Sequence, residues 1–221
     1  THRKHGRLPW PKLFEPAIAL AEQGFPVSPR LHMQLKGERF LKLDPAARAY
    51  FYAPDGEPWP VGHALKNPDY AATLKAIRDG GAKAFYEGDI AADVVRVARA
   101  QANASDLTEA DFSAYRVFER DPICSPYRGL RVCGMPPPSS GGIAVAQILS
   151  FVERFPLAAW GPDATDSLHV FAEAGRLAFA DRNRYLGDPD FVAIPHGMLD
   201  PAYLKSRGSQ IDLSRSMKRA E

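Results

Sequence analysis

Thr1 carries a hydroxyl beside the chain's own amine, the two groups an N-terminal nucleophile needs to attack a carbonyl and shed its proton. That chemistry requires the threonine to begin a buried strand. Thr1 instead leads the basic run His2-Arg3-Lys4-His5 and then Leu8-Pro9-Trp10-Pro11, so it is read as a cut end. Asp166, His169 and Glu173 have a spacing that could set metal ligands on one helix face. At about 100° per residue they lie opposite the stripe Leu168, Phe171, Ala172, Phe179, which places them on a solvated surface. The remaining histidines, His2, His5, His32, His63 and His196, are scattered, with no zinc-type spacing.

Residues Ala180 to Phe191 gather Asp181, Asp188 and Asp190 with Arg182 and Arg184. Paired carboxylates can do acid–base work. With guanidiniums interleaved, the block is read as salt bridges and turn caps at a helix end. Ser139, Ser140, Gly141 and Gly142 could bind an anion at a helix start, but capping that helix is the commoner use and is ranked first. There is no Gly-x-Ser-x-Gly elbow, phosphate loop or dinucleotide fingerprint. No complete catalytic constellation is expected, and no catalytic, substrate-binding or metal residue is assigned.

The segment Met135-Pro136-Pro137-Pro138-Ser139-Ser140-Gly141-Gly142 must be a strand–elbow–helix junction. Its prolines hold the backbone extended, and its glycines let the following helix pack closely on what faces it. Val145, Ile148, Leu149 and Val152 are expected to form that helix's apolar stripe. Upstream, Ser28-Pro29 opens a helix over Arg30–Phe40, and Asn67-Pro68 opens another that Gly80-Gly81 closes. Asp89 precedes a third helix. Asp111–Arg120 and Tyr127–Met135 read as strands joined by the loop 121–126, and a long helix spans Thr165–Tyr185 with Gly187 as its stop. Asp200-Pro201 starts a last short helix. Trp10, Trp59 and Trp160 are expected as packing anchors.

The chain has 221 residues, enough to bury a core, with 28 basic and 26 acidic side chains. A net charge of +2 without a basic block gives nucleic-acid binding no electrostatic support. No stretch approaches the roughly 20 apolar residues of a membrane span. Cys124 falls in the loop and Cys133 near the end of the second strand, so two free thiols are expected. Both termini read as cut.

Blocks along nearly the whole chain resemble the large subunit of γ-glutamyltranspeptidases (glutathione hydrolases). They are Gly6–Trp10, Glu15–Ser28, Gly81–Ala91, Asp106–Thr108 through Tyr115, the Pro-Pro-Pro-Ser-Ser-Gly-Gly elbow, and Ala180–Phe191. Each is weak alone, and together in this order they are specific. The resemblance implies an α+β fold: a mostly helical fragment that contributes strands to the αββα sandwich of an N-terminal-nucleophile hydrolase. The fragment divides into a helical region over 1–110 and a strand pair, elbow and helices over 111–221.

By the same resemblance, a precursor cleaves itself, and the new N-terminal threonine of the small subunit takes the γ-glutamyl group and passes it to water or an amino acid. No cofactor is implied. The nucleophile would lie downstream of this chain and the carboxylate-gripping arginine upstream. Neither Ser139-Ser140 nor Gly141-Gly142 corresponds to the family's small-subunit serine and glycine pairs. The chain alone is thus expected to be an inactive scaffold. Its implied partners are the small subunit, glutathione-like substrates through the complete enzyme, and itself through exposed apolar surface. Periplasmic or secreted localisation is implied. The alternatives are a cephalosporin or glutaryl acylase of the same family and a non-catalytic interaction module.

Overall fold

A computed structural model describes residues 1–220, which divide into one compact unit from Thr1 to Val117 and a second from Phe118 onward. The first unit is helical. Its helices are α1 (His2–His5), α2 (Glu15–Gln23), α3 (Pro29–Gly37), α4 (Pro45–Phe51), α5 (Pro68–Tyr86), α6 (Asp89–Arg99) and α7 (Glu109–Ala114). Two short strands, β1 (Phe25–Pro26) and β2 (Ala64–Leu65), pair antiparallel between them.

The caps lie where the sequence places them. Ser28 Oγ accepts from Leu31 N, and Asn67 Oδ1 accepts from Tyr70 N, each just before a proline that needs no donor of its own. Gly81, with φ +64° and non-helical geometry, ends the first helical stretch of α5 as expected, and a second short stretch follows across this kink to Tyr86. Trp10 donates to the Arg78 carbonyl and Trp59 to the Tyr50 carbonyl, so these two tryptophans anchor turns to helices.

Two expectations about strands fail here. Residues Asp111–Ala114, predicted extended, belong to α7. Thr108 Oγ1 accepts from Asp111 N while the Asp111 carboxylate accepts from Thr108 N at 2.8 Å, a reciprocal capping box. The Thr108 hydroxyl also donates to the Asp111 carboxylate at 2.7 Å, and this bond, followed by the one from Thr108 N, holds the Asp111 carboxyl below its ordinary range. Local capping outweighs the β-rich look of the residues that follow.

The hairpin lies instead at β3 (Ile123–Tyr127) and β4 (Leu130–Gly134), in the second unit. Its turn is Arg128-Gly129, with φ +48° and +80°, the two-residue left-handed geometry that matches strand twist. Shifting the turn past the predicted loop puts Cys124 directly opposite Cys133, and the two form a disulfide. They are not free thiols. The loop reading had placed one of them outside the ladder.

After the elbow come α8 (Gly141–Glu153), α9 (Leu157–Trp160), α10 (Thr165–Tyr185) and α11 (Pro201–Gly208). The core is Phe151, Val152, Phe155, Val170, Ala174, Leu177, Ala178 and Ile211. The buried face of α8 is Ile143, Ala144, Ala146, Gln147, Phe151 and Val152, and Val145 is exposed. Of the predicted stripe, Val152 is in the core and Ile148 packs against it, whereas Val145 faces out.

The larger correction concerns α10. Leu168, Phe171 and Phe179, expected inside, are 58%, 62% and 53% exposed. The face that packs carries Val170, Glu173, Ala174, Leu177, Ala178 and Asp181. Two faces of one helix are thus apolar, and the packed face in this unit is the one that also holds two carboxylates.

Candidate functional site

The elbow brings β4 and α8 into backbone contact. Gly142 N donates to the Met135 carbonyl at 3.2 Å, and a Cβ added to Gly142 would meet that oxygen at 2.3 Å. Only glycine permits this approach. Ser140 occupies the N-cap position of α8 but makes no capping bond; its hydroxyl accepts from Arg182 Nε at 3.2 Å. The serine is a tie between the elbow and α10, a correction to the capping role.

A cleft of about 290 Å³ opens beside the elbow, lined by Ser125, Val132, Cys133, Gly134, Met135 and Ser139 among others. Its other walls are Gly141, Gly142, Val145 and Ala146, so among the described residues no titratable side chain faces it. With Cys133 in a disulfide, the cleft offers hydroxyls and backbone but no general acid or base.

Charge is concentrated one layer deeper, where α8, α10 and α11 meet. Asp181, 1% exposed, accepts from Tyr203 Oη at 2.7 Å, from Gln147 Nε2 at 3.0 Å and from Arg207 Nε at 3.1 Å. Arg207 completes a two-pronged ion pair with a second nitrogen at 2.9 Å. Gln147 also donates to the Met198 carbonyl at 3.1 Å, which ties in the turn before α11. Burial, and then the bond to Asp181, push the Tyr203 hydroxyl up to about 12. A carboxylate saturated by a guanidinium, a phenol and an amide is an anchor for three helices, not a poised base. Asp190 pairs with Arg120, and Asp188 accepts from Asp190 N. The block reads as ion pairs and turn bonds, as the sequence suggested.

Glu173 differs from its expected place. It is 1% exposed, on the packed face of α10, whereas Asp166 is exposed and His169 half-buried. The three do not share a surface, and the described residues contain no group of His, Cys, Asp and Glu that could hold a metal. Thr1 is exposed and precedes a helical turn, so it does not begin a strand. What sequence reasoning missed is the pairing of Gln147 and Asp181 with Tyr203 and Arg207. The only signal was a glutamine inside an apolar run and an aspartate at helical register with Val170 and Leu177.

The family described as gamma-glutamyltranspeptidase matches residues 1–221. A glutathione hydrolase proenzyme of Escherichia coli K12 is 39% identical over 99% of this chain, which spans 38% of that protein. The acylase ACY 1 proenzyme of Pseudomonas sp. V22 is 38% identical over 96% of the chain, again 38% of the relative. The chain thus spans just over a third of the length of these curated relatives. Among solved structures, the γ-glutamyltranspeptidase of Helicobacter pylori is similar with a TM-score of 0.85 and 36% identity, over 96% of this chain and 60% of that one.

Proposed function

The chain belongs to the γ-glutamyltranspeptidase family, and from that premise we propose that it is the scaffolding part of an enzyme whose chemistry is completed elsewhere. In this reading the complete protein transfers a γ-glutamyl group through a threonine acyl-enzyme to water or an amino acid. The 221 residues here hold the fold and carry no turnover themselves.

One observation carries the scaffold reading: α10 has two apolar faces, and Leu168, Phe171 and Phe179 lie open to solvent on the second. A helix apolar on both sides is built to be buried on both sides. The partner that fits is the remaining portion of the precursor, since the similar relatives are proenzymes and this chain spans 38% of their length. The saturated state of Asp181 and the absence of titratable groups from the elbow cleft are consistent with a supporting role.

Export is part of the proposal. The Cys124–Cys133 disulfide suits an oxidising compartment such as a periplasm or an extracellular space.

The test is reconstitution. The chain is assayed for γ-glutamyl-p-nitroanilide hydrolysis alone, then after co-expression with the remainder of its precursor. Release of p-nitroaniline only from the pair is the expected result; turnover by the chain alone would place a nucleophile within it and sink the reading.

A second reading is favoured by near-equal identity to an acylase, 38% against 39%. The two substrate classes differ by the α-amino group that glutaryl compounds lack. A reconstituted protein that cleaves a glutaryl anilide and spares the γ-glutamyl one would decide for the acylase.

A further inference from the structure

The segment Ile211 to Met217 has neither helix nor strand, yet side chains of α10 and of the residue that caps α8 hold its backbone along its length. Arg154 donates to the Ile211 carbonyl at 2.9 Å, and His169 Nε2 lies 2.9 Å from the Asp212 carbonyl. Glu173 accepts from Met217 N at 3.0 Å and from Ser216 Oγ at 2.9 Å. Arg176 contacts the Glu173 carboxylate and donates to Ser216 Oγ at 2.8 Å. Ile211 is buried in the core of this unit, and Met217 packs against it from the edge.

An ionised carboxylate at 1% exposure costs several kcal/mol unless its lone pairs are filled. Among the described residues, the groups other than Arg176 that hydrogen-bond Glu173 come from this one segment. The segment also holds its own shape: Asp212 accepts from Ser214 N and Oγ at 2.8 and 2.7 Å and pairs with Arg215 at 3.1 Å. It can leave as a piece.

We propose that residues 212–217 form a detachable strap, hinged at the core residue Ile211 and latched by Glu173, which opens as a unit when the Glu173 carboxylate takes up a proton while α8 and α10 stay folded. Protonation removes the charge that draws Arg176 and puts on one carboxyl oxygen a hydrogen that neither Met217 N–H nor Arg176 can accept, so the latch is weakened. The charged groups around it are Arg176 and His169 on its own helix, with Arg154, the residue that caps α8, occupied by Ile211 and the Phe155 ring. On the strap they are Asp212, Arg215 and, just beyond, Lys218 and Arg219.

Burial pushes Glu173 up, but the Met217 amide, the Ser216 hydroxyl, Arg176 and His169 together hold it below its ordinary 4.5. A depressed carboxyl stabilises the latched form above the ordinary value and loses that contribution as pH falls through the folded one. Opening therefore lies on the acid side of 4.5.

Hydrogen exchange on the whole chain, corrected for the intrinsic rate, tests this. The Met217 amide is expected to be protected at neutral pH and to lose protection by about tenfold per pH unit on the acid side, as a one-proton opening requires. The amides of Leu177 and Ala178 should stay protected throughout. In Glu173→Gln, Met217 should exchange fast at neutral pH without that acid step, and trypsin should cut after Arg215 and Lys218 faster than in the native chain. Ser216→Ala, which leaves the carboxylate in place, should move the acid step to higher pH. Exchange of Met217 and Leu177 in one cooperative step, or an unchanged acid step in Ser216→Ala, would overturn the strap.

Discussion

Gly134 at the end of β4 and Gly142 in the first turn of α8 meet backbone to backbone: a Cβ on Gly134 would lie 2.7 Å from the Gly142 Cα. The prolines between them turn the chain so that a strand and the helix after it share this contact. A Cβ on Gly142 would press on main-chain atoms, which cannot rotate away as a side chain can. Gly142→Ala is expected to cost about 1–3 kcal/mol, the range for overpacking a close contact. Gly141→Ala, whose Cβ would meet nothing nearer than Ser139 Oγ at 3.7 Å, should stay within about 0.5 kcal/mol. Urea unfolding of the two variants checks the difference; equal losses would refute the close-contact account.

The disulfide ties the strands that lead into this elbow. Unfolded without reductant, the chain should titrate no free thiol, since Cys124 and Cys133 are its two cysteines. Replacing both with serine is expected to lower stability by about 2 kcal/mol, the lower end of the usual range because the closed loop is short. Thiol counting and paired unfolding curves give the answer, and two reactive thiols in the purified chain would restore the free-thiol reading.

Tyr203 makes stability fall at high pH. Its hydroxyl is raised from 10.0 to about 12, so the folded state keeps a proton that the unfolded state has given up. That contribution is fully present below 10.0 and is lost as pH rises to about 12. Melting temperature measured across this interval should decline, and Tyr203→Phe should remove part of the decline. An identical slope in the variant would separate Tyr203 from Asp181.

The exposed face of α10 predicts behaviour opposite to that of its buried face. Phe171→Ser with Phe179→Ser should change stability by no more than about 0.5 kcal/mol each, as exposed positions do. The double variant should reduce self-association of the isolated chain, read by sedimentation velocity. Phe151→Ala, at 1% exposure in the core, should instead cost about 3–5 kcal/mol. Undiminished association would show that another surface carries it.

Several features were legible in the residues alone because their causes are local. Ser28-Pro29 and Asn67-Pro68 announce helix starts through a side-chain acceptor and a residue that needs no donor, and both act so in the structure. The elbow's approach to its helix needs a residue without a side chain, and the sequence places Gly142 there. The order of the motif blocks identified the family, which the match over residues 1–221 bears out. The mostly helical α+β character agrees with the solved relatives.

Other features depended on contacts that no local pattern encodes. Periodicity found the stripe Leu168, Phe171, Phe179 but could not say which side of α10 this unit would bury. The chosen side carries Glu173 and Asp181, because partners far along the chain, Met217 and Arg207, supply the hydrogen bonds that make buried carboxylates tolerable. Cys124 and Cys133 became partners only when the Arg128-Gly129 turn set the strand register, and a shift of a few residues in that turn separates a disulfide from two thiols. Local chemistry thus determined where elements begin and end and to which family they belong. Burial and long-range pairing decided which faces pack, since the energy of a buried charge or a packed ring depends on what the rest of the chain brings to meet it.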